Sequence, residues 1–184
     1  MKKIILSILL VTTVVFNSCK NKENVKEKTT EDMPFIVEMN VTIKQDDVTC
    51  LYYKDNSISF FNEGMGIYKN LTKSDTPQNI IFELPIGFIP NDFRLDLSHQ
   101  NQKQKITVNK IIFKYKGKSF EIVNKDIDKY FIPNEGVIFN DADRSFTFKL
   151  NKDGNYDPFL SSTGQFYPLL ETLVGPKAFN QVTQ

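Results

Sequence analysis

The 184-residue sequence contains no tryptophan, one histidine and two cysteines, and each shortage excludes a class of site. Metal sites of the usual imidazole kind need more ligands than His99 alone supplies. A catalytic triad would need a serine or a cysteine aimed at His99, and no Gly-x-Ser-x-Gly motif is present. The sequence therefore predicts no catalytic residues, no metal and no other cofactor, and it places His99 in a polar surface loop.

The charge composition excludes a nucleic-acid partner. The chain has 23 lysine and arginine residues and 22 aspartate and glutamate residues. Without Lys2 and Lys3 the numbers are 21 and 22, a net charge of −1. The lysines are scattered among acidic residues instead of forming the basic face that nucleic-acid binding needs.

Long apolar runs are also missing. Residues 4–16 (IILSILLVTTVVF) follow Lys2 and Lys3, and this apolar run stops after thirteen residues. A helix that crosses a membrane needs about 20 apolar residues. A basic start followed by a short apolar run instead indicates a signal peptide, over residues 1–18.

Residues 16–19 (FNSC) resemble the lipobox of bacterial lipoproteins, in the looser form used by Bacteroidota. The resemblance implies that Cys19 becomes the first residue of the mature protein and carries a diacylglycerol and an acylated amino group. Each buried methylene contributes about 0.8 kcal/mol, so two or three acyl chains anchor a protein that one chain holds only marginally. An ordinary secretory signal peptide with an incidental cysteine is the alternative.

Residues 20–32 (KNKENVKEKTTED) alternate in charge and contain one aliphatic residue, Val25. Such a composition buries too little apolar surface to offset the entropy lost on ordering. Residues 19–33 are therefore predicted to be a lipidated cysteine and a disordered tether. The resemblance implies an outer-membrane location. Because Lys20 and Lys22 stand where an acidic surface-export signal would lie, the periplasmic face is favoured over the cell surface.

Residues 34–184 have the length of one domain. In the first predicted strand, Phe35, Val37, Met39, Val41 and Ile43 recur at every second position, the pattern of a strand buried on one face. Residues 48–53 predict a second strand, which would pair with the first as a hairpin. Further strands are predicted at residues 57–61, 67–71, 79–84, 93–97, 106–115, 118–123, 137–139 and 145–150, and short helices at residues 124–131 and 168–174.

Short strands separated by glycine, proline, asparagine and aspartate predict an all-β fold. We expect a single antiparallel β-sandwich of the jelly-roll kind over about residues 34–150, with residues 151–184 packed against it. Lys116-Gly117 is expected to make a tight turn between two strands. Cys50 lies in one apolar run, VTCLYY, without a cationic neighbour, and is expected to be buried and unreactive.

Four short matches resemble a β-sandwich module found near cell-surface polysaccharide glycosyltransferases and in bacterial envelope proteins. They are Leu84-Pro85, Arg94-Leu95-Asp96, Val108 with Ile111, and Asp157-Pro158. The matches span about half the chain, and Leu97 replaces the proline that usually follows the aspartate. The resemblance implies a jelly-roll-like sandwich and points to carbohydrate.

Two groups of residues are candidates for ligand binding. Alternation along a strand puts Asp92, Arg94 and Asp96 on one face, where the guanidinium of Arg94 could bind an anion or sugar hydroxyls. The favoured alternative is a structural ion triad on a solvated face, worth about 0–1 kcal/mol for each pair.

The second candidate is an exposed tyrosine of the Tyr52-Tyr53 pair, most plausibly Tyr53, stacked on a sugar ring. Polar groups from the Asp46-Asp47 turn, or from Arg94 and Asp96, would then orient the sugar hydroxyls. Residues 151–157 place oxygen-bearing side chains as in a calcium loop, but they lack the glycine and glutamate of an EF-hand. A polar turn is the favoured interpretation.

These features predict a lipid-anchored protein of the cell envelope whose non-catalytic β-sandwich binds an envelope glycan or a protein partner. One alternative is a structural envelope lipoprotein without a small ligand. Another is an envelope glycan hydrolase, which would need acidic side chains that converge in one cleft.

Overall fold

The computed structural model describes residues 33–176, which form eleven strands and two α-helices. The predicted signal peptide, Cys19 and all of the tether but Met33 lie outside the described residues. No helix within residues 33–176 is long and apolar enough to span a membrane. The elements are β1 (Ile36–Ile43), β2 (Asp47–Lys54), β3 (Gly66–Leu71), β4 (Ser74–Glu83), β5 (Asp92–Asp96), β6 (Lys105–Tyr115), β7 (Lys118–Val123), α1 (Ile127–Tyr130), β8 (Phe131–Pro133), β9 (Val137–Asn140), β10 (Ser145–Phe148), β11 (Leu160–Ser162) and α2 (Phe166–Val174).

The strands form two sheets, in which every pairing is antiparallel. The β1 sheet has the order β4-β1-β6-β10-β9, with β7 also paired to β6, and the β2 sheet has the order β3-β2-β5-β11-β8. Seven of the ten connections between consecutive strands pass from one sheet to the other, as in a jelly roll. The predicted all-β antiparallel sandwich is confirmed.

The core lies between the two sheets and is rich in phenylalanine. Phe35, next to the start of β1, packs against Phe93 of β5 at 5.9 Å between ring centroids. Phe166 of α2 contacts Phe113 of β6 at 4.9 Å. Burying one such ring contributes about 1.5–3 kcal/mol. Since the rings come from both sheets and from α2, this cluster packs the three together as one unit.

Most predicted elements are confirmed within a few residues, including both short helical segments. The tight turn at Lys116-Gly117 is also confirmed, since Tyr115 pairs with Lys118 across it. Lys116 and Gly117 have φ angles of 46° and 78°, as a type I′ turn requires.

Two local predictions are wrong. Residues 44–46 do not close a hairpin, because β1 pairs with β4 and β6 whereas β2 pairs with β3 and β5. Residues 57–61 form turns and bends, in which Asp55 accepts a hydrogen bond from the backbone N–H of Ser57 at 2.9 Å. An aspartate that bonds the backbone two residues later favours a turn over a strand.

The expected boundary at residue 150 is also wrong. β11 lies inside the β2 sheet, between β5 and β8. α2 then covers the core with the fully buried side chains of Phe166, Leu170 and Leu173. Residues 151–176 are therefore part of the sandwich and not a tail laid over it.

The two ends of the sandwich differ in what they carry. One end, which we name the Met33 end, consists of residues 33–35, loops 55–65 and 84–91, and turn 116–117. Leu84 donates a backbone hydrogen bond to Phe35 and Asn91 donates one to Lys54, both at 2.9 Å, so both sheets contribute to it. The opposite end carries the turn 44–46 and the loop 97–104, which are joined by the hydrogen bonds from the backbone of Lys44 and Gln45 to the side chain of Gln104.

Candidate functional site

The outer face of the β2 sheet, away from the core, carries a row of polar and aromatic side chains. β2 and β5 pair in a register that sets Cys50 opposite Asp96, Tyr52 opposite Arg94 and Lys54 opposite Asp92. The residues between them, such as Tyr53 and Leu95, point into the core. Alternation therefore brings the predicted Arg94 and Asp96 together on this face.

Arg94 is held by two carboxylates and two rings. It donates two hydrogen bonds to Asp96, at 2.7 and 2.8 Å, and one to Asp157. Its guanidinium carbon lies 3.9 Å from the ring centroid of Phe159 and 5.3 Å from that of Tyr52. Such contacts fasten the segment around residues 157–159 onto the sheet, which is a structural role.

Asp92 does not take part in this ion pair, so the predicted triad within one strand is wrong. Asp92 instead pairs with Lys54 at 3.1 Å, directly across the strand register. Opposed residues in an antiparallel pair have Cβ atoms about 4.5–5.5 Å apart, closer than residues two positions apart along one strand. Lys54 is therefore better placed than Arg94 to bind Asp92.

Asp96 is buried, so the predicted solvated face is wrong as well. Its side chain is covered, with 3 % of the residue surface exposed. Burial raises the pKa of the Asp96 carboxyl above its ordinary value, while Arg94 opposes that rise. A buried pair of this kind makes either partner costly to remove alone.

The predicted pair Asp46 and Asp47 holds the fold together at the end opposite Met33. Asp47 is buried and accepts hydrogen bonds from the backbone N–H groups of Val48 and Gln100, at 2.7 and 2.9 Å. The hydroxyl of Ser98 donates to Asp47 at 2.5 Å. Asp46 accepts from the backbone of Lys73 at 2.6 Å. Both carboxylates are thus engaged in joining loops.

The expectation of an exposed ring at Tyr53 is wrong. Tyr53 is 5 % exposed and packs edge-on against Phe88 at 4.9 Å between ring centroids. Tyr52 points to the outer face but is also buried, and its hydroxyl lies 2.6 Å from that of Tyr68. Gly66 makes room for it, since a Cβ there would come within 2.8 Å of the Tyr52 ring. Neither ring can stack on a sugar.

The expected burial of Cys50 and the expected position of His99 in a surface loop are confirmed. Cys50 is free and fully buried, and burial raises the pKa of its thiol to about 12. A reactive cysteine needs the opposite shift. His99 is exposed in the loop 97–104, with its ring 5.7 Å from that of Tyr68.

The segment 151–157 forms a polar turn. The side-chain oxygen of Asn151 accepts hydrogen bonds from the backbone of Asp153 and Asn155, at 3.1 and 2.8 Å. Asp157 binds Arg94. Within residues 33–176 no group of three or more histidine, cysteine, aspartate or glutamate side chains is arranged to hold a metal ion.

A polar cleft that the sequence did not predict opens at the Met33 end. It has a volume of about 290 Å³ and lies between the end of β2, the start of β5 and the segment that joins β11 to α2. Small-molecule pockets have volumes of about 300–1,000 Å³, so the cleft has the size of the smallest of them. Its lining consists of Lys54, Asn56, Asn91, Asp92, Ser162, Thr163, Gly164 and Tyr167.

A network of hydrogen bonds orders the floor of this cleft. Ser162 donates its hydroxyl to Asp92, and the backbone N–H of Phe93 donates to Ser162 at 3.2 Å. Asp92 and Lys54 form the ion pair already described, with both side chains at most one-third exposed. The paired charges leave the cleft polar without a large net charge.

Asn91 supplies the most unusual group in the cleft. Its side-chain N–H donates to Asn56, but its Oδ1 is the single buried side-chain nitrogen or oxygen without a hydrogen-bond partner in residues 33–176. A buried acceptor left unsatisfied costs about 1–3 kcal/mol.

A second cavity, of about 310 Å³, lies beside the first described residues. It is lined by Met33, Pro34, Ile36 and residues 114–119. Lys114 in its wall is paired with Glu38 at 2.6 Å. This cavity has no set of convergent polar groups comparable to that around Asn91.

The residues of the polar cleft come from three segments that are far apart in the chain, around residues 54, 91 and 163. In the sequence, the adjacent polar residues Asn91 and Asp92 are the one local feature that indicates a polar cleft. Comparison of the chain with protein-family models, with curated proteins and with solved structures finds no match in any of the three.

Proposed function

We propose that the chain is a lipid-anchored protein of the cell envelope and that its β-sandwich is a non-catalytic binding module. The anchor is supported by the basic start, the short apolar run and the FNSC sequence that ends at Cys19. On this proposal the protein is held at the outer membrane, on the periplasmic face. The polar cleft at the Met33 end is its ligand site.

The observation that carries the binding site is a concave cleft lined by hydrogen-bonding side chains, among them Asn56, Asn91 and Thr163. The ligand that suits the cleft is uncharged and rich in hydroxyl groups, such as a saccharide unit of an envelope glycan. Lys54 and Asp92 offset each other, so neither sign of ligand charge is favoured. Tyr167, 36 % exposed at the rim, offers an apolar face for a sugar ring.

Glycan hydrolysis is less well supported as the activity of this cleft. Retaining glycosidases use two carboxyl groups about 5–5.5 Å apart, and inverting enzymes use two that are further apart. Asp92 is the one carboxylate in the lining, and it is bound by Lys54 and Ser162. Its partners favour a binding role over acid or base chemistry.

The proposal is tested by calorimetry on the full-length protein in nanodiscs, titrated with soluble peptidoglycan fragments and with oligosaccharides from lipopolysaccharide. We expect one of these glycans to bind the parent protein. Asn91→Ala should weaken binding about tenfold or more, because it removes one of the amide side chains that line the cleft.

Asn155→Ala is the matched control, because Asn155 is exposed outside the cleft. It should leave the affinity unchanged. Equal weakening by both substitutions would contradict the assignment of the cleft. The absence of heat with every glycan would instead favour a structural lipoprotein without a small ligand.

A further inference from the structure

The two most exposed large apolar side chains in residues 33–176 lie at the Met33 end. Phe60, in the loop 55–65, is 82 % exposed, and Ile86, in the loop 84–91, is 60 % exposed. Single exposed apolar residues are ordinary in soluble proteins. Here the two lie at the same end of the sandwich, on neighbouring loops.

Hydrogen bonds hold these loops in place. The backbone N–H of Phe88 donates to the carbonyl of Pro85 at 3.0 Å, and Gly87 has a φ angle of 84°. These features are those of a type II turn with Ile86 at its tip. Asn91 ties this loop to the other one by donating its side-chain N–H to Asn56. The apolar tips are therefore presented by ordered backbone.

The chain reaches this same end from the proposed anchor. Met33 lies fourteen residues after Cys19. Fourteen residues span at most about 50 Å, even when fully extended. A lipid on Cys19 would therefore keep Met33 within about 50 Å of the bilayer. Even a weak apolar contact between this end and the bilayer would then form often, because the anchor makes the contact intramolecular.

We propose that the Met33 end is a membrane-contact surface, in which Phe60 and Ile86 insert into the boundary between headgroups and acyl chains. The proposal rests on the lipid anchor of the proposed function. Charges at this end are mixed: Lys116 and Lys118 are exposed, and the loop that contains Phe60 carries the exposed Glu63 and the half-buried Asp55. The contact is therefore apolar and requires neither anionic lipid nor low salt.

The contact also places the polar cleft. Its lining residues Lys54 and Asn91 flank the two apolar loops, so the cleft opens at the level of the lipid headgroups. Its saccharide ligand would then be one carried at the membrane surface. On this proposal the lipid anchor also orients the cleft relative to the membrane.

The absence of tryptophan from the chain allows a direct test. Phe60→Trp introduces a single fluorescent reporter into the full-length lipidated protein, which is reconstituted in phosphatidylcholine vesicles with or without brominated acyl chains. Brominated lipid should quench this tryptophan about twofold or more, equally at low and high salt, because an inserted ring contacts the acyl chains. His99→Trp, at the opposite end, is the matched control and should not be quenched.

Intact mass spectrometry of the same samples separates the two proposals. A lipidated protein whose Phe60→Trp and Ile86→Trp variants are both as unquenched as His99→Trp overturns the membrane contact and leaves the anchor standing. That result would reassign the apolar tips to a protein partner. An unmodified Cys19 overturns the anchor, and the membrane contact with it.

Discussion

Replacement of Arg94 by methionine should destabilise the protein far more than the loss of an ordinary surface ion pair. Asp96 would remain buried without its cation, and breaking a buried pair from one side costs about 3–5 kcal/mol. The contact with Asp157 adds little, about 0–1 kcal/mol, because the Asp157 side chain is 50 % exposed. We therefore expect the free energy of unfolding to fall by about 3–5 kcal/mol.

Urea unfolding followed by circular dichroism measures this change. Lys110→Met is the control, since Lys110 and Glu121 form a pair at 3.0 Å in which both side chains are 41 % exposed, and it should cost about 1 kcal/mol or less. Arg94→Met combined with Asp96→Asn should recover most of the loss, because it leaves no buried charge. An Arg94→Met variant as stable as Lys110→Met would refute the account of a buried pair.

The free energy of unfolding of Arg94→Met should depend on pH with a definite sign. Burial already raises the pKa of Asp96 in the folded protein, and the loss of Arg94 should raise it further. A carboxyl whose pKa is higher in the folded than in the unfolded protein stabilises the fold at pH values below its unfolded-state pKa, about 3.9. That stability is lost as the pH rises through the folded-state pKa. The difference in stability between parent and variant should therefore be largest at neutral pH and shrink as acid protonates Asp96.

Two further predictions concern the buried residues of β2. Tyr53→Ala should lower the free energy of unfolding by about 3–5 kcal/mol in the same urea assay, because it removes a ring from the core. The exposed Phe60 is the control, and Phe60→Ala should change this free energy by about 0.5 kcal/mol or less. Equal effects of the two substitutions would contradict the burial of Tyr53. Cys50 should resist a disulfide reagent in native protein from neutral pH to about pH 9 and react quickly in urea, because its thiol pKa is about 12 when folded; fast native reaction would show that the thiol is accessible.

The fold was predictable where local patterns are long. Apolar residues that face the core recur at every second position over most of the eight residues of β1 and the eleven residues of β6. The sequence predicts both strands. β8 and β11 have three residues each, too few to show a period. The partner of each strand was not predictable either, because alternation sets the buried face but does not choose between a hairpin and a crossover.

The candidate site was predictable only in part, for a related reason. The run around Tyr52 and Tyr53 is apolar on both faces, so its sequence does not reveal which ring lies in the core. The outer ring is covered by Tyr68 and Arg94, and Arg94 is in turn covered by Phe159, more than sixty residues further along the chain. Asn91 likewise gains its role from Ser162 and Tyr167, which share its cleft only in the folded chain.

The most direct test of the ligand site is nuclear magnetic resonance of the full-length protein in nanodiscs, with the side-chain amides of asparagine labelled. On addition of a glycan that binds, the resonances of the Asn91 and Asn56 side chains should shift, because the cleft lies around them. The side-chain resonances of Asn155 should stay unchanged. Shifts confined to residues outside the cleft, with Asn91 unmoved at saturating glycan, would contradict the assignment of this cleft as the binding site.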